Sequence, residues 1–132
     1  MPALTRFLLL SGTAAVTLGA DVVTKVIPHR EVVDHYSHAP IALLLLVGLF
    51  LVVLGVRYST TLAVGAGLMV GGLCGNGGQL VLEGYASDWI RLGDWLTNVA
   101  DIADALGLVF CFTGYVRILM LRHAGAGKEA RV

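Results

Sequence analysis

The chain has 132 residues, the length of one domain, and its nine Lys and Arg balance nine Asp and Glu. A hydrophobic share of 57%, a charged share of 14% and a mean hydropathy of +0.82 exclude an ordinary soluble globular protein. A zero formal net charge without a basic cluster speaks against nucleic acid as a partner.

The first apolar run, Phe7 to Ile27, predicts a membrane-spanning helix with Asp21, Thr24 and Lys25 near its far end. Its basic start at Arg6 also suits a cleavable leader. Leu18 stands where a small residue is needed three before the cut, so a retained helix is expected. Pro28 to Ala39 is a polar loop holding His29, His35 and His38 beside Asp34. These histidines lack the i, i+4 spacing of a helical metal site and read as solvated, so no metal is expected.

Pro40 to Val56 is an apolar run without an ionisable residue, and Arg57 to Thr60 is a tight turn into a third span. There Gly67, Gly71 and Gly75 recur every four residues and form one close-packing face. Gly77 and Gly78 mark where that helix is expected to fray or stop. Glu83 to Thr97 reads as a polar and aromatic loop, with Tyr85, Trp89 and Trp95 at the membrane–water boundary. Asn98 is a suitable cap for the last helix. The small residues Ala100, Ala103, Gly107, Cys111 and Gly114 are expected to complement the glycine seam of the third span. Cys74 and Cys111 both lie in apolar runs and read as packing residues.

The expected architecture is an all-α membrane protein, with four transmembrane helices, a short extracytoplasmic loop and an interfacial loop bearing the active site. The membrane domain covers 1–122, with spans at about 7–27, 40–56, 61–82 and 99–121, followed by a disordered tail at 123–132. Arg6, Arg57, Arg117, Arg122, Lys128 and Arg131 then share one side, which the positive-inside rule makes cytoplasmic together with both termini.

Five of the nine acidic residues lie between Gly75 and Asp104: Glu83, Asp88, Asp94, Asp101 and Asp104. Carboxylates between apolar helices are costly and call for a reason. Asp88 and Asp101 flank a short loop that returns to the membrane, so their side chains can meet at its boundary. Two close carboxylates hold one proton between them; one can activate water while the other protonates a carbonyl. The plainer reading gives Asp101 to the helix dipole and Asp88 to solvent. Asp21 and Lys25, at i, i+4, suit an ion pair that anchors the end of the first span. Asp104, three residues after Asp101, is placed either to tune the pair or to contact Lys25.

These residues resemble the lipoprotein signal peptidase family (signal peptidase II), small four-span aspartyl proteases of the bacterial cytoplasmic membrane. The resemblance rests on Asp21-x-x-Thr24-Lys25, Gly71-Gly72-x-x-Gly75-Asn76, Gly84-Tyr85-x-x-Asp88-Trp89-Ile90 and Asn98-Val99-Ala100-Asp101. It implies that Asp88 and Asp101 are the catalytic pair and that Asn76 and Asn98 line the substrate site, with Asp21 and Lys25 supporting. It also implies a diacylglyceryl-modified prolipoprotein as substrate, contacts with its signal peptide, its lipid anchor and membrane lipids, and no metal or organic cofactor. The chain departs from the family at Gln79-Leu80, where an Asp-Arg pair is usual, leaving Arg91 as the candidate replacement. The family's Asn-x-Gly-x-Ala-Phe segment is not recognisable in Pro28 to Ala39, and Ile102 takes a serine-like position. These departures keep open a non-catalytic membrane binding protein on the same fold. A small transporter subunit using Asp21, Asp101 and Asp104 ranks last, because the acids cluster near one side.

Overall fold

In the computed structural model, residues 1–27, 32–35 and 41–129 are described. Each apolar run forms a helix: α1 is Ala3–Val26, α2 is Ile41–Arg57, α3 is Thr60–Glu83 and α4 is Val99–Glu129. Ala3–Val26 and Val99–Ala124 are long and apolar enough to cross a membrane, and α2 adds the shorter apolar stretch Leu46–Arg57. Glycines, Asn76 and Gln79 dilute the hydropathy of α3, although it runs for 24 residues. The chain is a helical membrane protein, and its burial pattern has the sense that a lipid solvent imposes. Asn98 and Asp21 are its largest fully buried side chains, while Leu8, Val16, Leu49, Phe50, Leu108 and Phe112 face outward. A soluble core would place the apolar groups inside.

At the centre, α3 packs against α1, α2 and α4. Ser59 caps its start, its hydroxyl accepting from Leu62 N–H at 3.1 Å. Gly84, at φ 84°, closes its end with an N–H bond to Leu80 O of 3.0 Å. The expected fraying at Gly77-Gly78 does not occur. Two interior glycines cost about 2 kcal/mol relative to alanine, and neighbouring helices with the side-chain bonds of Asn76 and Gln79 hold the segment helical.

The expected seam is also corrected. Gly67 and Gly71 admit the Leu10–Thr17 stretch of α1, and Gly75 abuts the Asp21 carboxylate. A different face, Gly65 and Gly72, admits α4 at Gly107, Phe110, Ala100 and Asp104. One residue turns an α-helix by about 100°, so Gly71 and Gly72 serve different neighbours. The α4 helix runs past Leu121 to Glu129, so the tail expected at 123–132 is helical through that residue. The His123 ring lies 2.8 Å from Leu119 O, one turn back, and alanines favour continuation.

The expectation of helices alone is corrected by four three-residue strands among the described residues. Strand β1 (Val33–His35) pairs antiparallel with β2 (Ala86–Asp88), placing Val33 opposite Asp88. Strand β3 (Ile90–Leu92) pairs antiparallel with β4 (Trp95–Thr97), turning through Gly93 at φ 63°. The ladders give the loop backbone internal partners, which matters where water is scarce. Trp95 remains exposed beside the exposed Leu92.

Candidate functional site

The site lies where α1, α3, β2 and the start of α4 converge. The N-cap of α4 sets its centre. Asn98 is fully buried, and its side-chain oxygen accepts from Asp101 N–H at 2.9 Å, closing the first turn of α4. The Asn98 amide nitrogen points back across the site, 2.6 Å from Asp88 Oδ1, 3.0 Å from Asn76 Oδ1 and 3.3 Å from Ser87 O. One side chain thus organises the helix start and reaches the end of β2.

Asn76 joins the other half. Its amide donates to Asp101 Oδ1 at 2.7 Å, while its oxygen accepts from Lys25 Nζ at 2.8 Å. Thr97 donates its hydroxyl to Asp101 Oδ2 at 3.1 Å. Asp88, 4% exposed, and the half-buried Asp101 therefore belong to one hydrogen-bonded cluster, connected through Asn98 and Asn76. The solvated reading of Asp88 does not hold.

Asp21 and Lys25 form the expected pair, with Oδ2 and Nζ 2.9 Å apart. The second Asp21 oxygen has a role that spacing did not reveal: it accepts from Ala100 N–H at 3.0 Å, binding α1 to the open end of α4. A carboxylate there answers the unsatisfied N–H groups and positive dipole of a helix start. Gly75 leaves the room for it; a side chain at that position would meet Asp21. Lys25 bonds to Asp21 and Asn76, and Asp104 instead lies against Gly72 across the α3–α4 contact. Asp104 Oδ1 is buried without a hydrogen-bond partner among the described residues.

Gln79 stands at the break in the sequence motif and holds β2. Its carbonyl accepts from Ser87 N–H at 3.1 Å, and its amide reaches Ser87 Oγ at 3.1 Å and Glu83 Oε2 at 3.0 Å. Ser87 in turn donates to Asp34 Oδ1 at 3.0 Å, joining β1 to the assembly. Asp88 is the next residue, so this clasp fixes the backbone that carries it. Arg91, the candidate replacement for the missing arginine, is exposed on β3. Glu83 and Asp94 are exposed as well.

With this geometry in place, comparison with known proteins is informative at one level. No family model matches the chain, and no curated protein matches it. Solved structures do match it. A bacterial membrane enzyme determined in meso at 2.3 Å superposes with a TM-score of 0.67 at 19% identity, over 80% of this chain and 85% of its own. A bacterial membrane enzyme determined in meso at 1.9 Å gives 0.63 at 13% identity, over 84% and 92%. The fold is shared. At such low identity the likeness concerns architecture, and the chemistry has to come from the side chains.

Thr97 and Ser87 are the residues of the cluster that the sequence reading missed. Thr97 stands four before Asp101 and next to the cap, a spacing that carried the signal. Ser87 is marked by nothing except adjacency to Asp88. The histidine reading of the loop falls partly on His29 and His38, which lie outside the described residues. Among the described residues, no group of three His, Cys, Asp or Glu is placed to hold a metal ion.

Proposed function

We propose that the protein is an intramembrane aspartyl endopeptidase of the signal peptidase II type, removing signal peptides from diacylglyceryl-modified prolipoproteins at a bacterial cytoplasmic membrane. In this reading the four helices all span the bilayer and both termini are cytoplasmic. The observation that carries it is the union of Asp88 and Asp101 in one largely buried network with Asn98 and Asn76. The fold shared with bacterial membrane enzymes supports it at the level of architecture.

The two carboxyl groups would hold one proton between them. The ionised partner takes a proton from water as its oxygen attacks the scissile carbonyl carbon. The protonated partner gives its proton to the carbonyl oxygen, producing a neutral gem-diol. Collapse then returns a proton to the pair, delivers one to the departing amine and breaks the C–N bond. Asn98 and Asn76 orient the carboxylates and offer polar atoms to the substrate backbone. Bonds already formed at rest avoid reorganisation during reaction.

Asp88→Asn and Asp101→Asn preserve side-chain shape and remove the ionisable group. Each is expected to lower processing of a prolipoprotein substrate by at least about a hundredfold, with membrane insertion and folding retained. Full cleavage by either variant overturns the mechanism. Complementation of a strain lacking lipoprotein signal peptidase separates enzyme from binder: a well-expressed, folded wild-type chain that fails to rescue would favour the non-catalytic reading.

A further inference from the structure

The end of the bundle opposite the carboxylates carries a second feature. A groove of about 490 Å³ runs along α2 and α4 over the start of α3. Its walls are apolar, with Phe50 and Leu54 on one side and Leu108 and Phe112 on the other, and Tyr58 and Arg122 stand at its far end. The volume lies within the range of about 300–1,000 Å³ usual for small-molecule sites.

Length and charge point to one occupant. From Leu108 to Arg122 the groove follows α4 for about 21 Å, at 1.5 Å per residue. Half a bilayer, headgroups included, measures about 20–22 Å. The groove therefore has the length of one leaflet, with Arg122 at the end that a headgroup would take. The Arg57 guanidinium lies 5.8 Å from the centre of the Tyr58 ring, setting a second cation beside the mouth. α2 has no acid, α3 has none before Glu83, and α4 has none between Asp104 and Glu129, which stands about two turns beyond Arg122 with Lys128 beside it in sequence. Both arginines are exposed, and guanidinium groups bind phosphate through paired N–H donors.

We propose that this groove is a binding site for an anionic phospholipid. One acyl chain lies between the Phe50 and Phe112 walls, and the phosphate meets Arg122 with Arg57 beside it. A zwitterionic lipid covers the same apolar wall but brings its own cation to the arginines, so the site discriminates by headgroup. The inference rests on the membrane fold and is independent of the proteolytic reading.

The test uses the full-length protein, extracted from vesicles of equal phosphatidylglycerol and phosphatidylcholine with matched acyl chains. Lipids retained on the folded protein are counted by native mass spectrometry. Wild type is expected to retain phosphatidylglycerol at least about fivefold over phosphatidylcholine, the factor one arginine supplies near a membrane surface. Arg122→Gln should reduce that preference about fivefold, and Arg57→Gln should reduce it by less. Both substitutions are on the exposed surface, and the second remains informative if the first misfolds. Equal retention of the two lipids by wild type overturns the proposal, as does a preference unchanged in both variants.

Discussion

Two faces of α3 solve the same steric problem in opposite ways. On one, Gly75 makes room for the Asp21 carboxylate of α1; on the other, Gly72 makes room for the Asp104 carboxylate of α4. Both glycines remove a Cβ so that an acid can approach the helix. Asp21 then has the Lys25 ammonium 2.9 Å from Oδ2, as an ion pair without a hydrogen bond, and accepts from Ala100 N–H on Oδ1, whereas Asp104 leaves one oxygen with neither a described donor nor a described cation. The first contact ties three helices together. The second fills space beside the cluster. A carboxylate within a bundle stabilises it only when its partners are built in as well.

Substitutions can break or sharpen this contrast. The largest effect is expected from Asp21→Ala, which strands the Lys25 ammonium, 9% exposed, and frees a buried N–H at the start of α4. A loss of about 3–5 kcal/mol should appear in reversible unfolding in mixed micelles. A loss under about 1 kcal/mol would place the two faces on an equal footing. Gly75→Ala comes next: its methyl group would displace a carboxylate pinned from both sides, at about 1–3 kcal/mol in the same assay. The smallest effect is expected from Asp104→Ala. Removing an acceptor that lacks a partner should leave stability within about 0.5 kcal/mol of wild type or slightly above it. If that variant stays folded but loses prolipoprotein cleavage, Asp104 belongs with the working carboxylates and the contrast between the faces is functional.

The long-period features were legible in the sequence. Apolar runs located four helices to within a few residues at most ends, because a helix facing lipid advertises itself over many positions. The Asn98 cap and the Asp21–Lys25 pair were also legible, since both depend on spacings of three or four residues along one helix. Which face of α3 met which neighbour was not. Gly71 and Gly72 are adjacent in the chain, and only the positions of α1 and α4 separate their roles. The strands were hidden because three residues are too few for an alternation pattern, and Val33 finds its partner Asp88 far along the chain. Gln79 read only as a missing family residue. Its clasp on Ser87 depends on where β2 returns, which the residues before it do not encode.

The ion pair within α1 has a consequence for biosynthesis. Asp21 and Lys25 are one helical turn apart, so α1 carries a counter-charge for its buried acid and can enter the lipid phase before α3 and α4 exist. Asp21 Oδ1 still lacks its Ala100 partner at that stage, and Lys25 still lacks Asn76. Those bonds must await residues 76 and 100. Assembly of the polar cluster is therefore coupled to synthesis of α4: a nascent protein that stops before it holds α1 with its Asp21–Lys25 pair already formed and has neither Asn98 nor Asp101 with which to form the centre.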